Sequence, residues 1–324
     1  MGDSVHVATN AHLLPCRVLR LLEALLILDC YRAILLQRPP TLLWGFRGSF
    51  CDAGPGHEDI AVLFRLAAEM TTPALSIDKE AVRRYSLTSI ASLSPHLWPV
   101  MRTRFDRDAD SPRLAQPGHP IWKRDFVALA LEKWRGAQDR DVEPSSLILY
   151  HLMNLTLHAD IDLMQRLFRS SFRQQADRDQ LWEQRTRALS VWVRSRECEV
   201  ASWHARSLLR CAEEGHPGHQ DLVPSDAEHQ AAAERDKADS LDEGEAAAAR
   251  KGTGRPQVEA PHVPYAVFFA TVALWLGAMV AEEGHLATQA HLARGRAILS
   301  RHRSRAARQF AKMLESTQSC GNHF

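Results

Sequence analysis

Between Leu149 and Phe172 the apolar residues Leu149, Met153, Leu157, Ile161, Met164, Phe168 and Phe172 recur at intervals of four and three. That spacing lines one face of a helix and predicts a single long helix over Pro144–Phe172. Pro144 suits the first turn, where a missing N–H costs nothing, and Glu143 lies near the positive helix end. A second long helical region is expected over Ala176–Glu214, with Trp182, Leu189, Trp192, Val200 and Trp203 on its inner side. Shorter helices are expected over Glu58–Met70, with Ile60, Leu63, Phe64 and Ala67 inward, and over Ile121–Gly136. Another is expected over Lys79–Ser92, where Asp78 is placed to cap the first turn. Gly45–His57 and Arg102–Pro120 read as loops, the first rich in glycine and the second charged and broken by proline.

Two segments do not keep their apolar residues to one side. In Cys16–Gln37 the polar members Arg17, Arg20, Glu23, Asp29 and Arg32 spread around the circumference, which predicts a helix enclosed by neighbours and a buried Leu25. Pro39 and Pro40 end it. A chain opening on so enclosed a helix suggests partner helices upstream in a longer relative. Val263–Ala281 is nineteen residues without a charge, at the lower limit for a membrane span. Glu282 and Glu283 follow directly, and no Lys or Arg cluster borders it. The buried central helix of a soluble domain is the expected reading.

Gly215–Pro261 breaks the periodicity. From Glu214 to Ala260 eleven acidic residues stand against five basic ones, with few large apolar anchors, as in a disordered linker. Beyond it, His285–Lys312 is helical and wholly basic, with Arg294, Arg296, Arg301, Arg303, Arg305, Arg308 and Lys312 and no acid. Those seven cations are the candidate contact patch, either a solvated helix face or a nucleic-acid or nuclear-import surface. Strand alternation is nearly absent. The expected fold is all-α, a large irregular multi-helix domain with buried central helices and an acidic disordered insert. Residues 1–214 form its first part, 215–261 the linker, and 262–324 the returning C-terminal helices.

The whole chain of 324 residues carries a formal charge of +1, so nothing suggests that it coats nucleic acid or an anionic membrane. The six cysteines, Cys16, Cys30, Cys51, Cys198, Cys211 and Cys320, form no CxxC pair and read as reduced structural thiols. The start lacks the cationic and apolar regions of a signal peptide, and His6 stands where myristoylation needs Ser or Thr. An intracellular, reducing compartment is expected. His151, His158 and Asp162 share one helix face, but the first gap is about 10 Å along the axis, too long for two ligands of one zinc ion. His216 and His219 lack a rigid third ligand. Nucleophile elbow, HExxH, phosphate-loop and zinc-finger patterns are all missing, so catalytic and metal residues are expected to be none.

One succession of segments looks familiar. LEALLILDCYRAILLQRPPTL at 22–42 resembles the opening of the regulatory domain of fungal-specific transcription factors, through Ala24, Asp29, Tyr31, Arg38, Pro39 and Pro40. Glu23 stands where the family has an aromatic residue. LILYHLMNLTLHADIDLMQRLF at 147–168, SWHARSLLRCAEE at 202–214 and PHVPYAVFFATVALWLGA at 261–278 continue the likeness in the same order. The resemblance implies a nuclear, all-helical domain of the xylanolytic activator type that regulates transcription through protein partners, self-association or an effector. It also implies zinc, but only in a DNA-binding module of relatives, built on paired fingers or a two-zinc cluster. No cofactor and no specific DNA binding are expected of these residues themselves. A membrane-associated protein with a span at 263–281 and an α-helical enzyme or small-molecule sensor are the alternatives.

Overall fold

A computed structural model of the chain describes residues 13–41, 58–72, 74–105, 121–139, 142–170, 180–215, 260–281 and 284–320. Among them the regular structure is helical: α1 (Leu13–Leu35), α2 (Glu58–Thr71), α3 (Lys79–Arg84), α4 (Ser86–Ala91), α5 (Ser94–Phe105) and α6 (Ile121–Ala137). There follow α7 (Pro144–His158), α8 (Ile161–Ser170), α9 (Gln180–Val193), α10 (Arg196–Glu214), α11 (Val263–Val280), α12 (His285–Arg301) and α13 (Arg305–Cys320). The expected loop at 45–57, residues 106–120 of the loop expected over 102–120, and residues 216–259 of the acidic segment lie outside the described residues, as does Phe172.

α11 is the centre. It is long and apolar enough to cross a membrane, yet it lies enclosed, buried from Val263 to Ala278 apart from the partly covered Tyr265. α10 packs along it on one side and α12 on another, while α7 and α8 complete the shell. Phe168 meets Phe268 and Trp275 edge-on at 5.3 and 5.7 Å, and Phe310 of α13 stacks on Phe268 at 4.4 Å. A helix without a polar face has no stable position at a surface, because every side would leave apolar area in water.

α7 links this centre to the N-terminal half. It packs on α10 and α11, and on its other side receives α4, α5 and α6. Trp134 of α6 is fully buried there, stacked on Tyr150 at 5.6 Å, and its Nε1–H donates to Ser89 Oγ at 3.0 Å. Helix ends in this half are closed by neighbours. Lys133 Nζ donates to the Thr72 and Leu75 carbonyls after α2, at 2.6 and 3.2 Å, and Arg83 Nε to the Ala137 carbonyl of α6, at 2.9 Å. Such bonds satisfy carbonyls that a helix leaves orphaned. One continuous apolar core runs from Cys30 to Leu314.

Several expectations are corrected. The helix expected over 144–172 is two, because Ala159 adopts an extended conformation and Asp160 Oδ1 caps Leu163 N at 2.9 Å. Trp192 Nε1 takes the His158 carbonyl at 2.7 Å. The inner face survives the break, which is why periodicity did not register it. Ser195, with φ −97° and ψ 157°, divides the expected 176–214 region in the same way. Asp78 does cap its helix, accepting from Ala81 N at 3.1 Å, but Tyr85 separates α3 from α4. No element was expected over 94–101 and a loop was expected from Arg102, but 94–105 forms α5 with Pro99 inside it; burial of Leu97, Val100 and Met101 outweighs the one bond proline forgoes.

Two corrections concern burial. Trp203, expected inward, is 54% exposed. In α1, Leu21, Leu25 and Leu28 are 61%, 38% and 58% exposed, so the helix is not enclosed on all sides. Its described neighbours α4 and α5 cover only the face carrying Leu26, Cys30, Ala33 and Ile34.

A tight helix approach yields a test. A Cβ built on Gly295 of α12 would meet Thr271 of α11 at 2.6 Å from Cγ2 and closer still to Oγ1. Thr271 is buried and donates to the Val267 carbonyl at 2.7 Å, so it has no room to yield. Gly295→Ala is expected to destabilise the fold by about 1–3 kcal/mol through overpacking. Adding Thr271→Ala should recover only part of the loss, because the Cβ of residue 271 would still stand 2.8 Å from the new methyl, and Thr271→Gly should relieve more of the clash. Urea denaturation measures both, and an unchanged midpoint for Gly295→Ala would refute the close crossing.

Candidate functional site

The polar groups with the most unusual surroundings lie where α7 and α10 run side by side. His151 and His204 are buried, with their Nδ1 atoms 3.0 Å apart. Two nitrogens at that distance share one hydrogen, so one ring donates and the other accepts, and both are neutral. Burial pushes His151 down to about 4, helped by Arg135 and Arg210, and His204 down to about 3, helped by His151 and His158. Tyr150 and the half-exposed Trp203 pack edge-on against the pair, Trp203 at 4.7 Å from His204.

Two turns along α7, His158 Nδ1 donates to Glu197 Oε2 at 2.7 Å, and Arg124 of α6 donates to the same oxygen. Burial opposes ionisation of Glu197, but the bonds from Arg124 and His158 outweigh it and hold its carboxyl below the usual range. This is a three-helix clamp. Asp162, which shares the helix-face spacing with these histidines in the sequence, pairs instead with Arg166. Among the described residues no group of three or more His, Cys, Asp or Glu is placed to hold a metal ion. His216 and His219 lie outside the described residues.

A third buried histidine joins distant parts of the chain. His262, just before α11, is fully buried, and its Nε2 bonds the Ser145 carbonyl of α7 at 2.9 Å. A carbonyl only accepts, so Nε2 carries the hydrogen and Nδ1 accepts from Tyr31 Oη of α1 at 2.6 Å. Burial pushes His262 down to about 4, which agrees with a neutral ring satisfied at both nitrogens. Asp29, two residues back in α1, accepts from the Thr41 N–H at 2.8 and 2.9 Å and from its hydroxyl at 2.9 Å, tying down the chain after Pro39 and Pro40. Periodicity alone gave no signal for these links, because each partner comes from a different helix.

The seven cations of the expected patch divide. Arg294 is half-buried and bidentate to Glu213 at 2.8 and 2.7 Å, bolting α12 to the end of α10. Arg296 pairs with Glu315 of α13 at 3.3 Å, and Arg308 donates to the Arg303 carbonyl at 3.1 Å. Arg301, Arg303, Arg305 and Arg308 gather, exposed, around the turn between α12 and α13. Lys312 lies further along, beside a shallow groove of about 430 Å³ lined also by Ala293, Arg296, Ala297, Ser300, Ala311 and Glu315. Cys30, Cys198 and Cys211 are not joined in disulfides, and burial raises the Cys30 and Cys211 pKa values, keeping both protonated.

Set against protein-family models, curated proteins and solved structures, the chain finds no match.

Three of the buried histidines, His151, His204 and His262, fix a pH dependence. Each is neutral when folded and titrates near 6.5 when unfolded. The unfolded chain therefore binds more protons between about pH 6.5 and 4, and stability is complete above that window and falls on acidification through it. Each histidine contributes up to about 1.4 kcal/mol per pH unit. Urea midpoints between pH 7.5 and 4.5 should show the fall, and His262→Phe should flatten it. Stability that rises on acidification would contradict the neutral rings.

Proposed function

We propose that this chain is a helical regulatory domain of the fungal-specific transcription factor type, acting in the nucleus through contacts with other proteins. The observation that carries this is the union of the four resembling segments. α1, α7, α10 and α11, far apart in sequence, pack into one core, and Tyr31 of the first is bonded to His262 of the last. The resemblance singles out Asp29 and Tyr31, and both are spent on holding the fold. The buried histidines and the Arg124–His158–Glu197 clamp are likewise absorbed in helix packing, which favours a role by contact over a role by chemistry. On this reading zinc and base recognition belong to a DNA-binding module of relatives. Arg301, Arg303, Arg305, Arg308 and Lys312 then supply weak, sequence-independent attraction to acidic surfaces.

Tethering the chain to an unrelated DNA-binding domain should change the output of a reporter, up or down, relative to that domain alone. Titrated with duplexes by fluorescence anisotropy, the untethered chain should bind only non-specifically, with Kd of about 10⁻⁴–10⁻⁶ M at physiological salt. A reporter unmoved in both activation and repression formats would sink the proposal. So would one duplex bound about a thousandfold more tightly than the pool.

We assign residues 215–261 to a solvated acidic linker within the same domain, on the strength of their composition. Trypsin under native conditions should cut first at Arg235, Lys237, Arg250 or Lys251. Protection of all four while the flanking helices are cleaved would rule this out.

A further inference from the structure

We infer that the outward face of α1 is a docking surface for an acidic amphipathic helix of another protein. At about 100° per residue, Leu21, Leu25 and Leu28 lie within a ~60° arc, spaced four and three apart. They are 61%, 38% and 58% exposed, and Leu36 beyond the helix end is 62% exposed. Elsewhere among the described residues exposed leucines and aromatics at this spacing come to no more than the pair Phe126 and Leu129 on α6, where α1 carries three. Leucines at such intervals form the seam into which a second helix inserts its own apolar residues.

The charges on this face have one sign. Arg20 flanks the N-terminal end of the stripe and Arg32 stands one turn beyond Leu28. The nearest acid, Asp29, is buried and occupied by Thr41. Glu23 lies about 170° around the helix from the middle of the stripe. An apolar seam bounded by cations fits a ligand helix whose own seam is bounded by Glu or Asp.

A second copy of this chain fits poorly. Paired in parallel, Arg20 and Arg32 would face their own counterparts. Paired antiparallel about Leu25, Arg32 would come beside the turn of the second copy that carries Arg17 and Arg20. The stripe is also small. From Arg20 to Leu36 it runs about 24 Å, and at a helix width of ~10 Å it offers roughly 250 Å². That is far short of the ~800 Å² per partner of a stable dimer, and it matches the length of one four- to five-turn ligand helix held transiently.

The platform is rigid before anything binds. The opposite face of α1 is buried through Leu22, Leu26, Cys30, Ala33 and Ile34, and Tyr31 is bonded to His262. Docking therefore needs no rearrangement of the backbone, which lowers the entropy cost of association. The surface stands apart from the transcriptional reading. A silent reporter leaves it in place, and a failure to bind leaves the reporter result in place.

The test uses the purified full chain and two labelled peptides of about three heptads, each with leucine at the seam positions. One carries Glu beside the seam and the other Lys. In fluorescence anisotropy the Glu peptide should bind at least about tenfold more tightly than the Lys peptide, a difference of ~1.4 kcal/mol. Leu21→Glu with Leu28→Glu should weaken that binding at least about tenfold. Leu25→Gln, a milder change that keeps helix propensity, should weaken it with Tm unchanged. Failure of both peptides to bind, equal binding of the two, or indifference to the substitutions would overturn the inference. Two other occupants would overturn it as well. Self-association in sedimentation equilibrium that Leu25→Gln abolishes would assign the face to a second copy. A lowered Tm for Leu25→Gln would assign it to packing within the chain.

Discussion

Everything in the architecture follows from one helix that water cannot touch. α11 carries no charge from Val263 to Val280, and its buried hydroxyl, that of Thr271, bonds its own backbone at Val267. Such a helix must be covered on every side, and the cover has to come from helices that own an apolar face. α7, α8, α10, α12 and α13 supply it. α12 approaches closely where residue 295 is glycine, opposite Thr271, with no room for a Cβ between them. The aromatic contacts of Phe168, Phe268, Trp275 and Phe310 fill the remaining space on the α8 and α13 sides.

Enclosure on this scale forces a second condition, that polar groups caught inside be paired and uncharged. Three of the four histidines buried among the described residues meet it in different ways. His262 is satisfied at both ring nitrogens by Tyr31 and Ser145, while His151 and His204 share a hydrogen with each other. Arg124, His158 and Glu197 lie nearer the surface, where a carboxylate with two donors stays ionised. These clusters would attract attention as chemistry in a cleft. Here they are joints between the helices of this domain. Its two surfaces of note are the leucine stripe of α1 and the cations around the turn between α12 and α13.

Sequence periodicity carried well where one side chain pattern answered one neighbour. Pro144 opens α7, Asp78 caps α3, and the 4-3 spacing from Leu149 to Phe168 lies inward on both α7 and α8. It failed at breaks. Asp160 and Ser195 turn the chain without disturbing the phase of the apolar face, so the pattern runs through them unbroken. It failed also at α5, where Pro99 argues for a loop locally and burial of Leu97, Val100 and Met101 decides otherwise. The basic run of 294–312 was visible as charge, but its division into structural bolts and exposed cations was not. Glu213 and Glu315, which take up Arg294 and Arg296, belong to other helices.

The amino-acid sequence by itself determined that the fold is helical, that 263–280 is its interior, and that the interior of α7 continues into α8. Those properties depend on the order of residues within one segment, and hydrophobic spacing encodes them directly. Only the tertiary structure decided which apolar residues meet water. Leu25 and Trp203 have the composition of core residues, yet both are partly exposed, because burial depends on whether a neighbour arrives and not on the side chain alone. It also decided which histidine faces which partner. Tyr31 and His262 lie 231 positions apart, and no local pattern encodes a bond between them. Their meeting is set by how α1, α7 and α11 pack around a helix that has to be covered.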